Sequence, residues 1–363
     1  MSGLNSNTLI KMKLNIKKCD HNPVVRPGEL PWRMAATMNP AVIYENGKFT
    51  MFERAAGSLH PFQCFLGKLE STDGINWEHT SDEPAITAEL VGFKYGSIQD
   101  PRIVKIEDDY LLTFALRPFS YDTNTTGVGV PMSFQHDYPG FSGETKDNQS
   151  RSGILRSKDM INWEFVSFIT HGEIDDRNNI LFPEKINGKY ALLRRPSGFV
   201  DTAVKFKENP GIKISYSDDL KTWSDPETII MPAYEWEGNR IGGSTPPIRT
   251  EHGWLTTYHG VENENLELNR VCYRMSAMML DIKNPTKVIA RCETPLMEPE
   301  HYYEKVGHYI PNVVFPTGAV DVDGLLHIYY GCCDTAIGLA TVPLKNLVDH
   351  VMSCKLQKAY FLK

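Results

Sequence analysis

The 363-residue chain has no apolar run approaching the roughly 18 residues that span a bilayer, and no N-terminal apolar stretch backed by a small-residue cleavage site. Neither a membrane anchor nor an export signal is expected, which favours the cytoplasm. Positive charge is also in short supply: 38 Lys and Arg face 45 Asp and Glu, for a formal net charge of −7. Such a chain lacks the field that holds a polyphosphate backbone, so nucleic acid is not an expected partner. Cysteine is sparse and odd in number, seven residues with no C-x-x-C pair, and there is no H-E-x-x-H among the 11 His. That pattern supports neither a disulfide framework nor a zinc site, and no metal is expected. Sustained helical periodicity is nearly missing. Turn chemistry is abundant instead, with 27 Gly and 23 Pro in a chain that is 41% hydrophobic and 23% charged.

Self-similarity is the strongest signal. Pro, a β-type run, a turn with Gly or Asp, and a second β-type run recur as NPAVIYENGKFTMFER from Asn39, DPRIVKIEDDYLLTFALRP from Asp100, FPEKINGKYALLRRP from Phe182, PPIRTEHGWLTTYHG from Pro246 and PTGAVDVDGLLHIYYG from Pro316. Three copies are followed by Ser-x-Asp-x-x-x-Trp (STDGINW, SKDMINW, SDDLKTW), the mark of an outer hairpin with a polar turn and a Trp packed between sheets. Units of roughly 60–80 residues with four strands each predict an all-β, five-bladed β-propeller as one domain over residues 1–363.

In a propeller, equivalent repeat positions converge on one mouth. The repeat starts bring Asn39, Asp100, Glu184, Thr245 and Asn312, and the ends of the following hairpins bring Arg54, Arg117, Arg194, Arg195, His259 and Asp334. Carboxylates facing arginines and a histidine suit a polyhydroxylated substrate together with an anion. Residues 118–150 interrupt the second unit and carry Phe119, Tyr121, Phe134, Tyr138 and Phe141. An aromatic insertion of that length is expected to be a cover over the mouth or a contact between subunits of a homo-oligomer. The tail at 343–363 is expected to contain a short helix, packed on a blade or on a neighbour.

The segments NPAVIY, RAAG, QDPRI, LFPEKINGKY, RRPSG, WEGNRIGG, TPPI, GWLTTYHGV, IPNVVFPTGAV and YYGCCDTAIGLATV, in order over nearly the whole chain, resemble glycoside hydrolase family 130, the β-mannoside phosphorylases and related β-1,2-mannosidases. The resemblance implies a five-bladed propeller, in agreement with the repeat count. It implies that Asp100, the Asp of QDPRI, is the general acid, with the proton relayed through a sugar hydroxyl. A carboxyl in a partly dry mouth is expected to be held protonated near neutral pH by desolvation. Arg54 matches a family arginine, Arg240 replaces a usual Lys, and His259 lies in the Tyr-His-Gly element; with Arg117 and Arg195, chosen from repeat position, these are the expected phosphate ligands. Asn39, Arg102, Tyr258, Asn312 and Asp334 are expected to hold the sugar, with Pro311 as an apolar wall.

Inverting hydrolysis needs an acid and a base, whereas phosphorolysis needs only the acid because phosphate arrives as the nucleophile. The expectation is therefore an inverting β-mannoside phosphorylase acting on β-1,2-mannobiose or oligomannan and releasing α-mannose 1-phosphate, with inorganic phosphate as co-substrate and no cofactor. The alternatives are an exo-β-1,2-mannosidase, with Glu235, Glu237 or Glu262 as base, a β-1,4-mannosyl-glucose phosphorylase, and a carbohydrate-binding propeller without turnover.

Overall fold

Short β-rich runs separated by Gly, Asn and Asp turns cannot bury two faces alone, so they stack as sheets around a common axis. The computed structural model describes residues 14–123, 131–133, 138–142, 145–172, 174–197, 210–265 and 270–354. Five small antiparallel sheets form the ring of a five-bladed β-propeller. Blade 1 comprises Ala36–Glu45, Lys48–Ala56, Cys64–Ser71 and Glu78–His79. Blade 2 comprises Ser97–Ile106, Asp109–Arg117, Arg151–Ser157 and Glu164–Thr170. Blade 3 comprises Asp175–Leu181, Tyr190–Ser197, Ile212–Ser217 and Glu227–Ile230. In blade 4 the inner position is split between Arg240–Gly243 and Ile248–Thr250, both pairing with Gly253–Asn265, and Arg270–Leu280 and Val288–Arg291 follow outward.

Blade 5 draws on both ends of the chain. Val314–Val322, Leu325–Cys332 and Ala336–Pro343 are completed by Lys17–Lys18, which pairs with Thr341 and Ala340. Lys18 Nζ also bonds the buried Glu304 carboxylate at 2.8 Å. This closure removes an open sheet edge.

The recurring Ser-x-Asp-x-x-x-Trp is an outer-hairpin turn, as its chemistry predicts. Asp73, Asp159 and Asp219 each accept two backbone N–H bonds at 2.8 Å from the second and third residues onward. Trp77 then packs against Phe49 and against Tyr329 of blade 5, and Trp163 of blade 2 packs edge-on at 5.4 Å against Phe52 of blade 1. The repeated tryptophans therefore fill the seams between blades. The helix Leu344–Ser353 buries Leu347, Val348 and Val351 against blades 4 and 5, so the tail packs on blades. Residues 355–363 of that tail lie outside the described residues.

Candidate active site

The inner strands of blades 1, 2 and 3 break register at the same place, between Met38 and Ala41, Gln99 and Arg102, and Arg177 and Ile180. At each bulge one residue is left-handed: Asn39 at φ 44°, Asp100 at φ 48° and Asn178 at φ 57°. Asn and Asp tolerate that conformation better than other side-chain-bearing residues, and the bulge re-aims the side chain. Asn39 Nδ2 donates to Asp100 Oδ1 at 2.8 Å, and Arg54 Nη1 donates to the same oxygen at 2.8 Å. Arg102 Nη1 reaches the Asp100 carbonyl at 2.6 Å, and its Nε reaches the Ser244 carbonyl across the ring at 3.1 Å.

These contacts reverse one expectation. Burial acts to raise the Asp100 carboxyl, but Arg54, Arg102 and Asn39 overcome it and hold the group at about 2, ionised at neutral pH. The carboxyl that carries a proton is Asp334. Burial pushes it up to about 7, against the pull of Arg54 and with help from the Asp100 charge. Two carboxyls near one arginine are thus driven apart in acidity.

A second group of cationic side chains gathers around His259. Arg195 Nη1 donates to His259 Nε2 at 3.3 Å, which places the imidazole proton on Nδ1, 3.4 Å from Ser244 Oγ. Burial, reinforced by Arg195, Arg240 and Arg102, drives His259 well below its usual range, so it is neutral. Arg240 lies over the Tyr273 ring at 5.4 Å and donates to Asn239 Oδ1 and Tyr273 OH. Arg195 is pushed down to about 9 by burial and by Arg240 and Arg177. The carboxylates within reach are engaged elsewhere, Asp100 with Arg54 and Asp175 in a two-point pair with Arg177 at 2.9 and 2.8 Å. Buried Arg102 Nη2, Arg195 Nε, Asn39 Oδ1 and Asn178 Oδ1 have no hydrogen-bond partner among the described residues. Crowded guanidiniums with open donors suit an anion.

Two glycines make room for this arrangement. A Cβ on Gly331 would lie 2.0 Å from Asn39 Oδ1, and one on Gly242 would lie 2.7 Å from both Asn178 Oδ1 and His259 Cε1.

Of the remaining expected residues, Arg54 Nε contacts Cys64 Sγ at 3.2 Å, leaving Nη2 for a ligand. Arg117 Nη1 donates to the Asn148 carbonyl at 2.9 Å and the guanidinium covers Tyr121 at 4.9 Å. Pro311 and Asn312 are half-buried before blade 5; Asn312 donates to Glu264 at 2.9 Å and its carbonyl accepts from Tyr273 N at 2.9 Å. Tyr258 requires a correction. It alternates to the face opposite His259, fully buried, where its hydroxyl donates to Glu237 Oε1 at 2.9 Å, so it is a core residue and not a sugar ligand.

The candidate hydrolytic bases fare no better. Glu237 is locked to Arg291 at 2.6 Å with no exposure, Glu262 shares the Tyr258 face and pairs with Arg274, and Glu235 is exposed. Glu184 is also outside the mouth, half-exposed in a surface pair with Arg249. The blade 3 counterpart of Asp100 is Asn178, and Arg194 is spent on Asp176 at 2.6 Å.

Several site residues had no motif to announce them. Asp175, Arg177 and Asn178 come from DDRNNIL, which lacks the anchoring Pro of the other repeats. Tyr309, Tyr121 and Phe62 form an aromatic wall beside Arg54 and Asp334, with ring centroids 5.2–5.5 Å apart. Tyr121 belongs to the insertion. Its described part folds back on blade 2, with Tyr138 stacked on Tyr95 at 4.8 Å and Asn148 bracketing Phe119 through both backbone groups. Phe134 lies outside the described residues.

Comparison with known proteins agrees with this geometry. A profile of a glycoside hydrolase 130 family described as beta-1,4-mannooligosaccharide phosphorylase matches residues 16–353. A 1,2-beta-oligomannan phosphorylase of a Thermoanaerobacter species is 36% identical, covering 92% of this chain and 99% of its own. A beta-1,4-mannooligosaccharide phosphorylase of Ruminococcus albus is 33% identical, covering 93% and 91%. The solved structure of a beta-1,2-mannobiose phosphorylase from Listeria innocua, in complex with beta-1,2-mannobiose, superposes with a TM-score of 0.72 at 24% identity, over 93% of this chain and 99% of that one.

Proposed function

The chain belongs to glycoside hydrolase family 130, and on that premise we propose that it is an inverting β-mannoside phosphorylase acting on β-1,2-mannobiose or oligomannan. It transfers the non-reducing-end mannosyl group to inorganic phosphate, giving α-mannose 1-phosphate and a shortened acceptor, with no further cofactor. The observation that carries the reading is the crowding of Arg195, Arg240 and Arg102 around the buried His259, next to Asp100. Phosphate is an anion that such a crowd of cations suits and is itself the nucleophile, so no second carboxylate is needed. The glutamates that a hydrolase would use as base are locked in ion pairs or exposed. The β-1,2 linkage follows the Thermoanaerobacter relative, with the β-1,4 linkage of the Ruminococcus relative as the alternative. The absence of a helix long and apolar enough to cross a membrane among the described residues is compatible with a cytoplasmic enzyme.

Asp100 is proposed as the acid, acting through a sugar hydroxyl. Because its neighbours hold Asp100 ionised, acting as an acid requires it to take up a proton first. Phosphate screens the cations that hold Asp100 low, and Asp334 is the neighbouring carboxyl that holds a proton near neutrality. The same charge states favour a second reading, in which Asp334 delivers the proton directly; Asp334→Asn would then lose turnover as completely as Asp100→Asn.

The test is phosphate dependence. Turnover of β-1,2-mannobiose should be negligible in phosphate-free buffer, saturable in phosphate and reversible from α-mannose 1-phosphate. Arg240→Ala should raise the phosphate requirement, with a transition-state loss of about 2–5 kcal/mol and a smaller effect on mannoside binding. Mannose released at one rate with and without phosphate would overturn the reading.

A further inference from the structure

The C-terminal helix Leu344–Ser353 lies across the seam of blades 4 and 5, and its apolar face shares a core cluster with Met279, Ala290 and Cys292. Cys292 follows the outer strand of blade 4 and is buried, and Cys354 follows the helix and is half-buried. Their sulfur atoms are 2.8 Å apart. Two thiols in ordinary contact stand farther apart than this, and the bonded distance is about 2.05 Å. His350, one helical turn before Cys354, brings a ring nitrogen within 4.8 Å of both sulfurs. Zinc is the obvious rival for such a trio. Two thiolates on one tetrahedral zinc, each about 2.3 Å from the metal, stand about 3.8 Å apart, which is wider than the 2.8 Å between these sulfurs.

We propose that Cys292 and Cys354 are a redox pair whose disulfide clasps the C-terminal helix to blade 4. The closed loop encloses the inner three strands of blade 5 within a 62-residue separation. In a glutathione-reduced compartment the pair rests as two thiols and the clasp forms on oxidation. The oxidant is a disulfide of the glutathione class. The Cys354 thiolate, being more accessible, attacks one glutathione sulfur and expels glutathione thiolate; the Cys292 thiolate then attacks the Cys354 sulfur and expels the second. Two cysteine protons end on two glutathione thiols, and one oxidised glutathione is reduced. Burial and the neighbouring sulfur push the Cys292 thiol up, so the reaction should quicken toward alkaline pH.

The full chain, reduced and then incubated with oxidised glutathione, should yield one cross-linked peptide joining Cys292 to Cys354. Five of its seven cysteines should remain alkylable after denaturation. The Tm should rise by a few degrees, reversibly with dithiothreitol, and Cys354→Ser should abolish both the cross-link and the shift. The place of Cys354 beside the outer strand of blade 4 predicts unchanged turnover in that variant. Glutathione adducts on Cys354 without a cross-link, seven alkylable thiols after oxidation, or one tightly held zinc per chain that protects both thiols would each overturn the proposal.

Discussion

Asp100 sits at a left-handed position held by Asn39 and Arg54. Asn adopts that backbone readily, so Asp100→Asn preserves the bulge while removing the acid, and kcat should fall by roughly 10²–10⁴. The same change leaves buried Arg54 without its counter-charge, and about 3 kcal/mol of stability should go with it. Assays well below the lowered Tm, with circular dichroism to verify folding, separate the two effects. Asp334 behaves oppositely. Its folded-state pKa of about 7 lies above the unfolded value, so its contribution to stability is present in acid and is lost as pH rises through about 7. Asp334→Asn, which removes the group, should match the parent only below about pH 4, with the gap widening up to about pH 7 and reaching about 4 kcal/mol at pH 8 in denaturant titrations. An equal offset at both pH values would show that Asp334 is not the titrating group.

The bulged inner strand is the element that converts a repeat into a site. Gly331→Ala would drive a methyl group into Asn39 Oδ1 and move Asn39 off Asp100. The expected outcome is a drop of at least about tenfold in kcat/KM, and a repacking cost of about 1–3 kcal/mol. The bulges of blades 1 and 2 were legible because Asn39-Pro40 and Asp100-Pro101 mark them in the sequence; Pro cannot donate to a ladder and so sits where pairing is broken. Blade 3 was misread for the same reason. Its Pro183 follows the inner strand instead of marking the bulge, so attention fell on the surface residue Glu184, while the Asn178-Asn179 bulge carried no Pro. Arg54, Arg195 and His259, read from repeat position or resemblance, were brought by the fold beside Asp100 and Arg102. Tyr258 was not, because a one-residue step along a strand exchanges the two faces of the sheet. The charge state of Asp100 was illegible too, since it depends on the neighbours Arg54 and Arg102, brought close by the fold.

At the scale of the whole ring, an anion bound among the crowded cations should stabilise the fold. Phosphate at about 100 times its Kd should add about 2.7 kcal/mol, and sulfate, which matches its shape without its nucleophilicity, should raise the Tm while inhibiting turnover. Removing residues 1–18 deletes the outer strand of blade 5 and leaves buried Glu304 without Lys18. Hydrogen exchange should then rise first in Ala336–Pro343, with blades 2 and 3 protected for longer. That closure also sets an order in time. Lys17 and Lys18 leave the ribosome long before their partners Thr341 and Ala340, with blades 1 to 4 in between. Their strand must therefore wait, unpaired, until the other blades have emerged, and the long loop that its pairing closes should make the sealing of the ring the slow step of refolding.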